Sequence, residues 1–193
     1  MDFIYVEDEE FSGLNYTKTT LNKGEYEHCT FVNCNLSDCS LADYKLISCE
    51  FIDCNLSNVQ LDNASIQEVN FENCKMLGIQ FERCNEFNFS AHFKNCQLNH
   101  ATFYQMNLVK SSFVASKLEG VDFIEANLNG VSIYNCELES AHFENTNLES
   151  ADLRLSVNFK IDPELNRIKG AQMNLSEAIH LLDKYKLKIT ADE

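Results

Sequence analysis

From Phe11 to Phe81 every fifth residue is apolar: Phe11, Tyr16, Leu21, Tyr26, Phe31, Leu36, Leu41, Leu46, Phe51, Leu56, Leu61, Ile66, Phe71, Met76 and Phe81. The rhythm breaks at Glu86, resumes two residues late at Phe93, and runs in fives to Leu153, so that all 28 positions are apolar. A period of five suits neither regular element. Five helical steps advance about 500° and would scatter these side chains around every face. A strand alternates faces with period two, so an odd step would send successive apolar residues to opposite sides. The pattern is consistent only with a chain that turns a corner once per repeat and points the middle of each short segment inward. The residue two before each centre should then also face inward and be small. Cys29, Cys34, Cys49, Cys54, Ala64, Cys74, Ala91, Cys96, Ala101 and Ala126 fit.

Residue identities recur best at 20, which is four such segments. Phe31, Phe51 and Phe71 fall in one column with Phe93 and Phe113; a second reads Phe81, Phe103, Phe123, Phe143. Cys34, Cys54, Cys74, Cys96 and Cys136 form a third, interrupted by Ser116. The two extra residues around 82–92 preserve all three columns and read as a bulge within one coil. The expected architecture is a four-sided solenoid of about seven coils, about 30–35 Å long at the usual strand spacing.

The segments Cys34-Asn-Leu-Ser-Asp, Ala126-Asn-Leu-Asn-Gly and Ala151-Asp-Leu-Arg-Leu resemble the pentapeptide-repeat family. That resemblance implies an all-β, right-handed quadrilateral β-helix, here with a short C-terminal α-helix. The solenoid and its N-terminal cap occupy 1–153, and 154–193 form the C-terminal cap and dimerisation segment. Residues 1–10, with Phe3, Ile4 and Val6 among acids, read as a capping strand. After Leu153 the rhythm fades, and the single proline follows in Ile161-Asp-Pro-Glu. Asn174 and Glu177 have capping-box spacing. Leu175, Ile179, Leu182 and Tyr185 make a helical stripe over about 174–185, and Leu187 and Ile189 alternate as a final strand. This tail resembles the C-terminal helix through which several family members dimerise tail to tail. The implied contacts are Ile179, Leu182, Tyr185, Leu187 and Ile189; the alternative is that the stripe caps its own coil.

Catalytic chemistry is not what this sequence displays. The nine cysteines lack the paired short spacing of zinc sites and fall one repeat apart, on different walls, as small buried hydrophobes do. His92 and Cys96 lie on consecutive walls and read as packing rather than as ligands. There is no nucleophile motif and no phosphate-binding glycine loop, and an interior filled by Phe, Leu and Cys leaves no room for substrate. A binding protein without enzyme activity, metal or cofactor is expected. Asn33, Asp53, Asn73, Asn95 and Asn135 align at one corner, where Asn suits a turn.

Charge carries the remaining information. The net charge of −15 argues against direct binding to nucleic acid or anionic membrane. No apolar run reaches the roughly 20 residues of a membrane span, and the acidic start is no signal peptide, so a cytoplasmic protein with reduced thiols is expected. Residues 154–193 hold seven basic and six acidic groups, leaving 8 basic and 24 acidic for the rod. By the 20-residue rule, the wall centred on Leu41, Leu61, Phe81, Phe103, Phe123 and Phe143 carries Asp43, Asp62, Glu82, Asp122, Glu125 and Glu144 against Arg83 alone.

The repeat, the acidity and the apolar tail are similar to those of quinolone-resistance (Qnr-type) proteins. The similarity implies an acidic rod that mimics DNA and offers this wall to the basic groove of a type II topoisomerase, DNA gyrase or topoisomerase IV. Many Qnr-type proteins of Gram-negative bacteria carry two longer loops important for drug protection. Here only two extra residues occur around Cys84–Ala91, which makes inhibition without quinolone protection a live version. The alternative is a structural or adaptor solenoid for another protein, or an immunity factor.

Overall fold

The period of five comes from the corners. Along the coil the residue two after most inward centres takes the left-handed conformation, as at Asp38 (φ 57°), Asp43 (61°), Asn58 (56°) and Asn63 (55°). Asn, Asp and Gly reach this region at the lowest cost, so they crowd the corners. The aligned corner Asn33, Asp53, Asn73, Asn95 and Asn135 follows the rule with φ of 52–56°. Asn95 Nδ2 also donates to Asn73 Oδ1 of the coil before, at 2.6 Å.

The computed structural model describes residues 3–190. Strands β1 (Ile4–Glu7) and β2 (Glu10–Ser12) open the first coil. They are followed by β3 (Gly24–Glu27) and β4 (Thr30–Val32), β5 (Lys45–Ile47) and β6 (Glu50–Ile52), and β7 (Ser65–Gln67) and β8 (Val69–Glu72). Later coils contribute β9 (Ala91–Lys94), β10 (Ser112–Val114) and β11 (Ser132–Tyr134). All pairing is parallel, in a four-stranded sheet β1-β3-β5-β7 and a seven-stranded sheet β2-β4-β6-β8-β9-β10-β11. Isolated β-bridges between successive coils line the other two walls. The fold is a right-handed, four-sided parallel β-helix of about seven coils.

Inside, the columns read from the sequence are stacks. Phe51 lies between Phe31 (centroids 4.6 Å, 4° apart in plane) and Phe71 (5.2 Å). Phe103 stacks on Phe81 at 4.6 Å and meets Phe113 edge-on at 5.4 Å. Such pairs contribute about 0.5–1.5 kcal/mol each beyond area burial. The cysteine column does more than fill space: the thiols of Cys34, Cys54, Cys74 and Cys96 donate to the carbonyls of Phe11, Phe31, Phe51 and Phe71 at 3.2–3.3 Å. All nine cysteines are free.

The insertion acts on one wall. The four-stranded sheet stops at β7, while the seven-stranded sheet passes over the extra residues by pairing Phe71 with Phe93. Glu86 faces solvent, and buried Phe89 sets its ring edge-on to Phe81 at 6.2 Å. Phe89 thus supplies the core side chain that Glu86 withholds.

The ladder does not stop where the sequence rhythm fades. Bridges Asn147↔Arg167 and Asp152↔Gln172 carry it past the expected boundary at residue 153. Ser156 continues the cysteine column, accepting from Cys136 N at 2.8 Å and donating to Ile133 O at 2.6 Å. Phe159 and Ile161 are buried, and Asn166 fills an inward place by bonding Thr146 N and Phe143 O. Polar groups replace the apolar signal while satisfying the same backbone positions.

At the N-terminus the expected capping strand, β1, is a rung of the first coil rather than a cover. The tail also departs from expectation. Helix α1 spans only Leu175–Ala178, and Ile179–Tyr185 continue as a 3₁₀ helix. The capping box does not form: Asn174 makes no side-chain cap, and Glu177 Oε2 accepts from Asn158 N at 3.0 Å. Tertiary contact has taken the capping carboxylate. No strand forms over 187–190, which follow the left-handed Lys186 (φ 51°) without a ladder partner.

Candidate protein-binding surface

The six selected acids do share one wall. Asp43 N bonds Asp62 O at 2.9 Å, Glu125 N bonds Glu144 O at 2.8 Å, and Phe103 N bonds Asp122 O at 2.8 Å, so the wall climbs coil by coil. Their charges are not equivalent. Asp43 accepts from Asn63 Nδ2 at 2.8 Å and pairs with Lys23 Nζ at 2.7 Å; both contacts hold its carboxyl below the usual carboxylate range. Asp62 pairs with Arg83 Nη1 at 2.9 Å. Glu125 Oε2 accepts from Gln105 Nε2 at 2.7 Å, and Asp122 Oδ1 accepts from the Ile124 amide at 2.8 Å. One oxygen of Glu82 is buried without a hydrogen-bond partner, and Glu144 is exposed.

Lys23 corrects the sequence count. It lies one coil before Asp43 on the same wall, so two bases, not Arg83 alone, oppose the six acids, and both are spent in ion pairs. Extending the 20-residue rule downward by one coil would have found it. Among the described residues, the carboxylates of this wall left without a cation are Glu82, Asp122, Glu125 and Glu144, all beyond the first three coils. A second acidic region lies on the four-stranded wall, where Glu7, Asp8, Glu25, Glu27 and Glu68 face Lys45. Acid is therefore not a property of one wall.

The tail stripe is open. Ile179 and Leu182 are each 38% exposed, and Tyr185, Leu187 and Ile189 about half. The residue that packs on the coil is Leu181, which sequence reasoning passed over. Lys184 reaches back to Asp162 (2.6 Å) and Glu164 (2.7 Å), and the Tyr185 hydroxyl donates to Glu164 at 2.5 Å. Phe87, at the insertion, is 72% exposed, a second apolar feature not anticipated.

Burial pushes the Cys49 and Cys136 thiols up to about 11. A groove of about 600 Å³ runs between the last coils and the tail, lined by His142, Phe159, Glu177 and His180 among others. Among the described residues no three His, Cys, Asp or Glu side chains converge as a metal site, and no helix is long and apolar enough to cross a membrane.

A rigid parallel solenoid whose distinguishing chemistry lies on its outer walls belongs to the class of repeat scaffolds. The pentapeptide repeat region signature matches residues 24–88 and 86–157, and the chain belongs to the pentapeptide-repeat family. No curated protein matches the sequence. Among solved structures it is similar to a trypsin-treated variant of QnrB1, a plasmid-mediated fluoroquinolone resistance protein, with TM-score 0.77 and 18% identity over 97% of this chain and 92% of that one. Full-length QnrB1 matches at TM-score 0.56 and 19% identity, over 95% and 100%. HetL of Nostoc sp. strain PCC 7120, a pentapeptide repeat protein involved in heterocyst differentiation regulation, matches at TM-score 0.50 and 16% identity, over 87% and 84%.

Proposed function

We propose that this protein is a cytoplasmic, acidic, rod-shaped mimic of DNA that binds the basic groove of a type II topoisomerase, DNA gyrase or topoisomerase IV. Binding inhibits the enzyme or protects it from quinolones. The observation that carries this reading is the set of cation-free carboxylates, Glu82, Asp122, Glu125 and Glu144, on one wall of a rigid coil. The likeness in fold to QnrB1 supports it. Charge held on a regular frame binds through many weak contacts at once, with affinity that falls as salt rises. The open tail stripe joins two copies of the rod through Ile179, Leu182, Tyr185, Leu187 and Ile189; Leu182→Asp should then give a folded monomer by light scattering.

The test is a gyrase supercoiling assay with and without a fluoroquinolone. Glu125→Lys with Glu144→Lys should weaken inhibition about tenfold or more, while Asp62→Lys, at a site already neutralised by Arg83, should cost less. Wild type that leaves supercoiling untouched at about tens of micromolar, an affinity worth only about 6 kcal/mol, would sink the topoisomerase reading. The likeness to HetL favours the second reading, an adaptor for an unrelated protein partner. A pull-down that retains no gyrase subunit would favour it.

A further inference from the structure

The two ends of the rod are finished differently. Leu181 packs the tail against the last coils, whereas β1 and β2 are the outer strands of their sheets and bond on one side only. In a parallel ladder, alternate residues turn their N–H and C=O to opposite sides. The amides of Ile4 and Asp8 bond Lys23 O and Glu27 O at 3.1 Å, and Gly13 N bonds Val32 O at 2.9 Å. Tyr5, Glu7, Glu10 and Ser12 therefore turn their backbone groups away from the coil. The core column also ends here. Phe11 stacks on Phe31 at 4.7 Å with no ring on its other face and is half-buried, while Phe3 and Tyr5 are 51% and 57% exposed.

Charge decides what can cover this end. Glu7, Asp8, Glu9 and Glu10 run along the open edge, with Glu25 and Glu27 one coil further on. Of these six, only Glu25 is paired with a lysine among the described residues, Lys45 at 2.9 Å. A second copy stacked head to head would bring two acidic rims together, and like charges across such a seam oppose it. An extended segment with alternating basic and apolar residues meets all three demands: free backbone groups, an exposed core end and uncompensated acid.

We propose that the open β1 edge receives an extended basic segment of a partner protein, which adds a strand to the four-stranded sheet. Its N–H and C=O groups pair with those of Tyr5 and Glu7. Its apolar side chains close over Ile4 and Val6, and its Lys or Arg side chains meet the acidic rim. This site lies at the tip of the rod and does not depend on the topoisomerase reading.

The experiment uses the full chain and an acetylated, amidated Lys-Val-Lys-Val-Lys-Val peptide as the probe. The peptide should bind, and should slow amide hydrogen exchange at Tyr5 and Glu7. An analogue N-methylated at its valines keeps its charge but loses strand-pairing donors, and should bind about tenfold more weakly. Glu7→Lys with Glu10→Lys should abolish binding, whereas Glu125→Lys with Glu144→Lys should leave it unchanged. Equal binding of the N-methylated analogue, unchanged exchange at the two amides, or absence of binding overturns the proposal. So does concentration-dependent self-association that the Glu7, Glu10 variant abolishes, since the occupant would then be a second copy.

Discussion

Phe51 and Leu182 are both apolar and both placed by a period in the sequence, Phe51 by the repeat of five and Leu182 by a helical stripe, yet they live in different mechanical settings. Phe51 is 1% exposed and held between rings of the coils on either side. Leu182 is 38% exposed, in a tail that touches the rod on one side through Leu181 and is strapped there by Lys184 and Tyr185. A coil is supported by two neighbours, and a tail by one. Stability in a one-dimensional array is a sum over neighbours, so the tail should open well before the coils do.

The largest expected effect lies in the middle of the rod. Phe51→Ala should cost about 3–5 kcal/mol in denaturant unfolding, as large-to-small changes in packed cores do. Glu50→Ala, on the exposed side of the same strand, should cost under about 0.5 kcal/mol. Equal costs would break the assignment of inside and outside. Ser156→Ala sharpens the question of where the coil ends. It leaves Cys136 N and Ile133 O without their shared partner and should cost about 1–3 kcal/mol. A neutral result would return the end of the coil to Leu153.

The tail strap should respond to pH. The Lys184 ammonium holds the Asp162 and Glu164 carboxyls below their ordinary values of 3.8 and 4.5, with the Glu164 amide and the Tyr185 hydroxyl assisting. Because these folded-state values are depressed, the strap is fully present above the ordinary carboxylate range and is lost as the pH falls through the depressed values. Hydrogen exchange over 175–185 should therefore quicken below about pH 4 while the amides around Phe51 stay protected. Lys184→Ala should produce the same quickening at neutral pH, and no change in either experiment would mean that Leu181 and the Glu177–Asn158 bond hold the tail without the strap. The last effect expected is a gain. Ala115 sits in the left-handed corner (φ 52°) between Asn95 and Asn135. Ala115→Asn should stabilise by about 0.5–1 kcal/mol, read from the denaturant midpoint.

Much of the rod was legible because its contacts are copies of one another. A residue and the one 20 positions later occupy the same place in successive coils, so an identity repeated along the chain is also a contact in space. That is why Phe31, Phe51, Phe71, Phe93 and Phe113 could be aligned across the insertion without knowing its shape. The candidate surface was legible only in outline. Which wall an acid occupies follows from the repeat, but whether its charge is free depends on how far a neighbouring side chain reaches. Lys23 and Arg83 neutralise Asp43 and Asp62 by such reaches.

The sequence alone therefore determined the four-sided coil, its inward columns and the place of its bulge, since a strict period leaves the backbone one way to bury every fifth residue. The tertiary structure decided what occurs only once. Phe89 fills the place that Glu86 leaves, Ser156 and Asn166 carry the coil past Leu153 with hydrogen bonds instead of apolar contacts, and Glu177 leaves its own helix to bond Asn158. No repeat copies these contacts. Each depends on a distance between side chains that the spacing of residues along the chain does not encode.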